Sequence, residues 1–249
     1  VSQATPPALI FCAATVLHET NSVLYFAGFT VLSLKAANDG ALYRMDLARG
    51  KESISLNLAI SSLGNDAITA MALSTDQKYL YLAGYFEFSI TVGAFNATTK
   101  SVDFPTTDVF VAKMDVSSSE ILWLSTGGST ANDYVETISV LDDGSVAIGG
   151  LACVLPTTFT NPPTTIQFGE CMVPCSSNQL YVVKFNNQGV AELLLPTGPS
   201  LASQMDIRTA SHSLEMAMYV KTTIGPHQVT SGLYVTKLEE ITCSGTLWN

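Results

Sequence analysis

The residue types that perform most enzymatic chemistry are few in this sequence and stand far apart. No two of the histidines His18, His212 and His227 have metal-ligand spacing, and the sequence indicates no Ser or Cys partner for them. The adjacent carboxylates Asp142 and Asp143 resemble a catalytic pair, but the stretch LDDGS lies between two apolar runs and favours a hairpin turn. A glycosidase needs two carboxylates facing each other across a sugar, and nothing here fixes such a separation. The sequence therefore predicts no catalytic, cofactor-binding or metal site.

The five cysteines favour a disulfide over a metal site. An odd number leaves at least one thiol free or paired between chains. Cys171 and Cys175 form a single CxxxC with no second pair and no nearby histidine, so a disulfide in an oxidising compartment is the better interpretation. We expect one disulfide among Cys153, Cys171 and Cys175. Cys12 lies in an apolar strand and is expected to be a buried thiol.

The composition excludes nucleic acid as a partner. The formal net charge is −10, from 11 Lys+Arg against 21 Asp+Glu, whereas neutralising phosphates requires clustered cations. Hydrophobic residues make up 47% of the chain and charged residues 13%, which is too apolar for a disordered protein. Such a surface is built from Ser, Thr, Asn and Gln or is covered by another molecule. No apolar run approaches the roughly 20 residues of a membrane helix, so we expect no membrane span.

A repeat organises the strands of this sequence. One strand type occurs as ALYRMD, VFVAKMD, LYVVKFN and LYVTKLE, with its basic residue at Arg44, Lys113, Lys184 and Lys237. A second type precedes it, as VLYFAGF, YLYLAGYF, SVAIGGL and EMAMYVK. One more strand precedes and one follows each pair, whereas no stretch keeps a helical apolar face over three turns. The pattern therefore predicts four repeats of four strands.

Tandem four-stranded antiparallel sheets are typical of a β-propeller. We predict one all-β domain over residues 1–249, a propeller of four blades that forms its own ring or part of a larger ring or assembly. The blades are expected at residues 8–60, 66–128, 134–197 and 205–248. Small residues at Gly28, Gly84 and Gly150 are expected to let twisted blades approach each other near a crowded axis.

The repeated basic residues have two interpretations. They form a ligand-facing ring of cations, or each stem packs between blades while its head meets a carboxylate such as Asp39 or Asp108, five residues earlier. The second, structural interpretation is favoured. A sialidase-like propeller would need several arginines on one face, and Arg44 already occupies the repeat position, which leaves Arg49 and Arg208.

Residues 65–150 resemble the SBBP repeat, named for a seven-bladed β-propeller. The family shows an Asp-Phe-Pro-Thr segment, an Asp-Ala-Phe-Val-Ala-Lys-Leu strand, a Trp- or Tyr-Ser-Thr strand, and Gly-Gly-Ser followed by Asp-Asp-Tyr. The matching residues are Asp103 to Thr106, Asp108 to Met114, Trp123 to Thr126, Gly127 to Ser129 and Asp133-Tyr134. The resemblance implies a secreted or surface-attached repeat protein and transfers no catalytic residues. Only four repeats are visible, whereas the family name implies more.

Two long connections are candidate recognition loops. They span residues 87–107 and 151–178, between the second and third strands of their repeats, where loops on a rigid scaffold commonly bind partners. Their Thr-, Pro-, Ser- and Asn-rich composition indicates either O-linked sugar, for example at residues 106–107, or simply solvated loops. The single N-linked sequon, at Asn96, is expected to be exposed and glycosylated if the chain is secreted, although a sequon also occurs by chance.

These observations lead to three hypotheses of function. The first is a non-enzymatic, extracellular or cell-surface structural glycoprotein of a surface, matrix or filamentous appendage, without cofactor, whose partners are copies of itself or other matrix proteins. Its polymer would be joined through terminal segments such as residues 1–7, with sugar on the loop rim. The second is a glycan- or protein-binding module that uses the long connections. The third is a propeller glycosidase or lyase.

Overall fold

The structure is a computed structural model, which describes residues 9–31, 37–62, 64–100, 105–155, 165–175, 177–199, 202–210, 213–224 and 228–238. Over these residues the chain consists of 19 β-strands and one short 3₁₀ turn at Gly50–Ser53, without an α-helix. A helix long and apolar enough to cross a membrane is accordingly not found in the described part of the chain. All strand pairings are antiparallel, which confirms the predicted all-β class.

Sheet 1 contains the first four strands and a hairpin from the second repeat. Its strand order is β1-β2-β3-β4-β7-β8. The strands are β1 (Leu9–His18), β2 (Val23–Val31), β3 (Asp39–Asp46), β4 (Ser55–Ser62), β7 (Ser89–Val92) and β8 (Phe95–Thr98).

Sheet 2 is built in the same way. Its order, β14-β13-β10-β9-β6-β5, again places a hairpin from the next repeat beside the fourth strand. The strands are β5 (Asp66–Leu73), β6 (Tyr79–Glu87), β9 (Thr107–Asp115), β10 (Ile121–Gly128), β13 (Thr165–Phe168) and β14 (Cys171–Pro174).

Sheets 3 and 4 complete the described chain. Sheet 3 has the order β11-β12-β15-β16, and sheet 4 has the order β17-β18-β19. The strands are β11 (Asn132–Val140), β12 (Val146–Val154), β15 (Gln179–Phe185), β16 (Ala191–Pro199), β17 (Ala202–Ala210), β18 (Ser213–Ile224) and β19 (Gln228–Leu238). The predicted fourth strand of the last repeat lies outside the described residues. None of the four sheets closes on itself.

The sheets pack in chain order, and apolar cores lie between them. The first strands form a row in which β1 contacts β5, β5 contacts β11 and β11 contacts β17. Tyr25 and Leu42 of sheet 1 share one core with Leu82 of sheet 2, whereas Tyr81 on the other face of sheet 2 shares a second core with Ile148 of sheet 3. Sheet 2 is therefore covered on both faces, which explains strands that are apolar on both faces rather than alternating.

The repeated glycines are required by a bulge inside each sheet. The first strand is bulged between Cys12 and Ala14 in sheet 1, and the equivalent bulges in sheets 2 and 3 occur at the same place in the register. Each bulge brings a backbone carbonyl over the glycine of the second strand. A Cβ at Gly28, Gly84 or Gly150 would lie 1.8, 1.9 or 2.0 Å from the carbonyl oxygen of Phe11, Ala67 or Tyr134, respectively. The close approach thus lies between strands of one sheet, not between blades as the sequence had suggested.

The two long connections contain hairpins rather than only loops. The hairpin β7–β8 pairs with β4, and β13–β14 pairs with β10, so each hairpin extends the sheet of the preceding repeat. Residues 101–104 and 156–164 of these connections lie outside the described part of the chain. The long segments therefore join neighbouring repeats together.

Candidate functional site

The first two repeated basic residues lie in clefts between neighbouring sheets. A cleft of about 640 Å³ between sheets 1 and 2 contains Arg44, and a cleft of about 280 Å³ between sheets 2 and 3 contains Lys113. Hairpin turns from both flanking sheets line each cleft, so the two are equivalent sites of the repeat. Lys184 is half-buried in sheet 3, and the side chain of Lys237 lies outside the described part of the chain.

Lys113 fills the second cleft. Its side chain is 5% exposed, and its ammonium donates a hydrogen bond to Asn187 Oδ1. The same ammonium lies 4.0 Å from the ring centroid of Tyr79, a cation–π contact. Burial lowers the pKa of Lys113, and the charge of Asp76 partly opposes that shift. Lys113 therefore joins sheet 2 to a turn of sheet 3, as the structural interpretation predicted for its stem.

Arg44 leaves the first cleft more open. Its side chain is exposed, whereas Tyr25 beside it is buried. Burial raises the pKa of Tyr25, and the nearby charge of Arg44 partly opposes that rise. Across the cleft, Gln77 Oε1 accepts hydrogen bonds of 3.3 Å from the backbone N–H and the hydroxyl of Thr20. The first cleft therefore presents a guanidinium to solvent, next to two hydrogen-bonded turns.

Carboxylates in the first cleft are suited to accept hydrogen bonds and not to donate protons. The Ser74 hydroxyl and the Lys78 backbone hold the pKa of Asp76 at about 2. Hydrogen bonds from Ser117 and Ser118 lower the pKa of Asp115. A general acid of a glycosidase needs a raised pKa instead. The cleft can hold a polar molecule through these groups, but these two carboxylates are ionised at neutral pH.

The carboxylate expected beside Lys113 is elsewhere. Asp108 is five residues earlier on β9, and at a strand rise of about 3.3 Å per residue this places it about 16 Å away. Its Oδ2 accepts a hydrogen bond of 2.8 Å from the Lys100 backbone N–H. The predicted pairing of Lys113 with Asp108 is therefore wrong. The same spacing along β3 separates Asp39 from Arg44.

Asp108 belongs to a buried cluster where the chain passes from sheet 2 to sheet 3. The second carboxylate of this cluster, Asp133, accepts hydrogen bonds from the Ser129 N–H at 2.6 Å and the Cys153 N–H at 2.8 Å. A Cβ placed on Gly128 would lie 2.7 Å from Asp108 Oδ1 and 2.8 Å from Asp133 Oδ2, so both carboxylates crowd this glycine. Asp108 Oδ1 is buried without a hydrogen-bond partner.

Burial changes the protonation of this pair. Desolvation raises the pKa of Asp133 to about 7, against hydrogen bonds that favour its ionised form. Desolvation, followed by the charge of Asp133, raises the pKa of Asp108 to about 8. Because two buried carboxylates this close resist ionising together, the pair retains a proton near neutral pH. Sequence reasoning missed this cluster, although an Asn-Asp pair recurs at the start of β5 and of β11, as Asn65-Asp66 and Asn132-Asp133.

The same cluster contains much of the motif that resembles the SBBP repeat. Gly127 approaches Phe168 of the hairpin β13–β14, and a Cβ there would lie 2.2 Å from that ring. Gly128 makes room for the two carboxylates, and the Ser129 hydroxyl donates to both oxygens of Asp133. The matching residues Asp103 and Phe104 lie outside the described part of the chain. Ser129 and Asp133 therefore join the end of sheet 2 to the start of sheet 3, whereas Gly127 packs against Phe168 within sheet 2.

One disulfide, between Cys153 and Cys175, connects the two ends of the third repeat's long segment. This confirms the prediction of one disulfide among Cys153, Cys171 and Cys175. Cys171 is 2% exposed in the same core, and its Sγ lies 3.3 Å from the Ala191 carbonyl oxygen. The prediction for Cys12 is wrong, because this cysteine is exposed on sheet 1. Cys243 lies outside the described residues.

Asn96 lies on β8, the edge strand of sheet 1, and its side chain is exposed as predicted. Its Oδ1 accepts a hydrogen bond of 2.7 Å from the Thr91 hydroxyl, which leaves the amide nitrogen accessible. The neighbouring threonines differ from the expectation for a sugar-bearing loop. Thr106 and Thr107 are 1% and 5% exposed, so an O-linked sugar at these two positions is incompatible with the fold.

The remaining candidates serve the turns. His18 is buried, and its Nδ1 accepts a hydrogen bond of 3.3 Å from the Asn21 N–H. Asp142 and Asp143 lie in the β11–β12 turn, where the Leu141 N–H donates to the Ser145 carbonyl at 2.9 Å, so the predicted hairpin turn is confirmed. His212 and His227 lie outside the described residues. Within the described ranges, no three His, Cys, Asp or Glu side chains are grouped to hold a metal ion.

Comparison with known proteins gives no relationship to set beside this geometry. No protein-family model matches the sequence, and no curated protein matches it.

Proposed function

We propose that this protein is a non-enzymatic, self-assembling structural glycoprotein of a cell surface, extracellular matrix or filamentous appendage, folded as a β-propeller of four blades of the SBBP type. One observation carries the proposal: two polar side chains of the repeat, Lys113 and Asp133, join sheet 2 to sheet 3. Lys113 links sheets 2 and 3 through Asn187, and Asp133 ties β11 to the Ser129 turn and to Cys153. Repeated residues committed to packing favour a scaffold over a catalyst.

The propeller arrangement is supported by the order of packing. The first strands of consecutive sheets lie beside each other, as the innermost strands of propeller blades do. Sheets 1, 2 and 3 also share the bulge and glycine that set the twist of their first two strands. In the described residues β17 packs against β11 and not closely against β1, so the four blades would close into a ring with further blades or with another copy of the chain.

A secreted location is supported by two chemical features. The Cys153–Cys175 disulfide is typical of oxidising compartments. The Asn96 sequon is exposed on an edge strand, where a glycan would prevent pairing with another sheet edge. Copies of the same chain or other matrix proteins are the proposed partners.

The test is to image the native material and to measure the masses of its peptides. We expect regular copies along a filament or layer, and a peptide containing Asn96 whose mass exceeds that of its amino acids by the mass of a glycan. A monomeric native protein with unmodified Asn96 would contradict the proposal.

A second candidate function is glycan binding in the first cleft. The favouring observation is its volume of about 640 Å³ together with the exposed guanidinium of Arg44 and the ionised carboxylate of Asp76. The test is calorimetric titration with a neutral and a uronic-acid oligosaccharide. If the cleft binds sugar, Arg44→Ala abolishes binding and Lys51→Ala, at an exposed cation of the 3₁₀ turn, leaves it unchanged. Equal binding by both variants would exclude the cleft.

A further inference from the structure

One face of sheet 1 has an apolar pattern, and no layer within the described residues covers it. Six positions of this face, called the open face below, lie in neighbouring rows of the sheet register. They are Leu17, Leu24, Phe26, Tyr43, Met45 and Leu56. Leu17 and Leu56 are 44% and 56% exposed, and the other four are only half-buried. Phe26 and Tyr43 stack on this face with ring centroids 5.4 Å apart.

In sheet 2 the same six register positions are covered. They are occupied by Leu73, Leu80, Leu82, Ala112, Met114 and Leu124. All six take part in the core between sheets 1 and 2, and four of them are completely buried. The layer that covers them is the opposite face of sheet 1.

Sheet 3 repeats the arrangement. Its six positions are Val140, Val146, Ile148, Val183, Phe185 and Leu194, and all six belong to the core shared with sheet 2. In each case the layer that covers a sheet belongs to the repeat before it. The open face thus has the residue pattern of a surface that receives another sheet of this repeat.

Cys12 occupies a seventh position of the open face, and it too is exposed where its equivalents in sheets 2 and 3 are buried. Cys12 pairs with Gly28, as Ile68 pairs with Gly84 and Val135 with Gly150. Ile68 and Val135 are buried against the preceding sheet, with exposures of 0% and 3%, whereas Cys12 is exposed. Cys12 therefore lies where a covering sheet would bury it.

The size of the open face fits an interface. With the row of Cys12 and Gly28, the open face spans three register rows on four strands. Four strands at a spacing of about 4.8 Å and three rows about 6.6 Å apart span on the order of 400 Å² in projection. Contiguous exposed apolar patches of this size mark interaction sites on folded proteins. Among the described residues, sheet 4 packs against β11 and β12 of sheet 3, and none of its strands packs closely against β1 to β4.

We propose that the open face of sheet 1 receives sheet 4 of a second copy of this chain, so that copies join head to tail. This inference rests on the proposed self-assembly and names the surfaces that perform it. Within the chain, sheet 1 covers sheet 2 and sheet 2 covers sheet 3 through the face that carries the repeated basic residue, here Arg44 and Lys113. Strands β17-β18-β19 form another antiparallel sheet of this repeat. Its basic residue, Lys237, lies opposite Glu215 in the strand register.

The two surfaces of this contact are different, so the contact is heterologous. Repetition of a heterologous contact produces an open filament or a closed ring, depending on whether the rotation per copy closes. The chain's own stacking supplies that rotation, since the joint repeats the step from one sheet to the next. The assembly continues the row of sheets without a new type of interface.

The test compares the full chain with Leu56→Lys by sedimentation velocity and light scattering over a range of protein concentrations. Leu56 is 56% exposed in the single chain, so a lysine there leaves the fold intact but places a charge in the proposed contact. Met172→Lys is the matched control, because Met172 is also 56% exposed but lies on the edge strand β14. Circular dichroism checks that both variants fold.

We expect the unaltered chain to form species at multiples of 26.5 kDa. Leu56→Lys should raise the concentration needed for assembly at least tenfold, and Met172→Lys should leave it unchanged. Assembly that persists in Leu56→Lys but is lost on deletion of residues 1–7 would overturn this inference, transferring the contact to the terminal arm and leaving the proposed scaffold function in place. A chain that stays monomeric at all concentrations would overturn both, and a lowered melting temperature of monomeric Leu56→Lys would then indicate closure by its own sheet 4.

Discussion

Sheets 1 and 2 place apolar residues at the same six register positions, but among the described residues a preceding sheet covers these positions in sheet 2 and not in sheet 1. Leu82 is completely buried, whereas its equivalent, Phe26, lies on the open face. The apolar pattern of a repeat therefore indicates that another sheet should cover it. It does not show whether the side chains are buried in a single chain. A residue of sheet 1 has to be judged by what lies next to its sheet.

The two clefts also differ in how far their basic residue is buried, and again the residue of sheet 1 is the more exposed. Lys113 is enclosed by Tyr79 and by Asn187, whereas Arg44 reaches solvent. Equivalent positions thus serve packing in one cleft and remain available to ligands in the other.

The difference in burial between sheets 1 and 2 is tested most directly by truncating one equivalent residue in each sheet. Leu82→Ala should lower the free energy of unfolding by about 2 to 5 kcal/mol, because it leaves a cavity in a covered core. Phe26→Ala should cost less than about 1.5 kcal/mol in the single chain, mainly from its stacking on Tyr43. Urea unfolding below the assembly concentration measures both. Equal losses would mean that the open face is covered within one chain.

Substituting the repeated glycines tests the bulge inside each sheet. Its effect on stability should not depend on whether another sheet covers that face. Gly28→Ala and Gly84→Ala should both lower the free energy of unfolding, by about 1 to 3 kcal/mol or more, because each Cβ collides with a carbonyl oxygen of the adjacent strand. The loss should be similar in sheets 1 and 2. If only Gly84→Ala destabilises, as measured by thermal and urea unfolding, crowding between blades is the better explanation.

The carboxylates between sheets 2 and 3 predict a pH dependence. With its pKa raised to about 8, Asp108 keeps a proton in the folded state that the unfolded chain releases near pH 4. Between these values the folded state binds more protons, so stability falls as pH rises. Asp108→Asn should flatten this decline and increase stability at pH 8 by about 1 to 3 kcal/mol, because the amide does not ionise and its nitrogen can take the place of the unpaired Oδ1.

Asp39→Asn is the matched control for that measurement, because Asp39 occupies the equivalent, half-buried position in sheet 1. Urea unfolding at pH 5, 6, 7 and 8 gives the slope for each variant. A steeper decline in Asp108→Asn than in the unaltered chain would contradict the assignment.

The smallest expected effect sharpens the comparison of the two clefts. Lys113→Met should cost about 1 to 2 kcal/mol of unfolding free energy, from the lost cation–π contact and the lost hydrogen bond to Asn187. Arg44→Met should change it by no more than about 0.5 kcal/mol, because its head is exposed. A larger loss for Arg44→Met, measured by urea unfolding, would show that the first cleft is also structural.

The sequence predicted what depends on local pattern. Repeated short apolar runs without a helical apolar face predicted the all-β class, and LDDGS between two apolar runs predicted a hairpin turn. It also placed the disulfide among three cysteines. The sequence did not predict strand pairing between repeats, in which the hairpins β7–β8 and β13–β14 join the sheets of the preceding repeats.

The errors have one physical origin, which is that a single repeat does not show its neighbours. Cys12 has an apolar context like that of Ile68, yet only Ile68 has a sheet against it. Asp108 was paired with Lys113 because they share a strand, although strand geometry places five residues about 16 Å apart. Its real neighbour, Asp133, is brought to it by the connection between two sheets.

The hairpins also set an order for the synthesis of the molecule on the ribosome. Sheet 1 acquires its last two strands only when residues 89–98 have been translated, and sheet 2 only when residues 165–174 have been translated. The edge of sheets 1 and 2 thus remains unpaired during synthesis until the hairpin of the next repeat has been made. A nascent chain that stalls between repeats would expose that edge, so translation pauses at repeat boundaries are the moments at which aggregation is favoured.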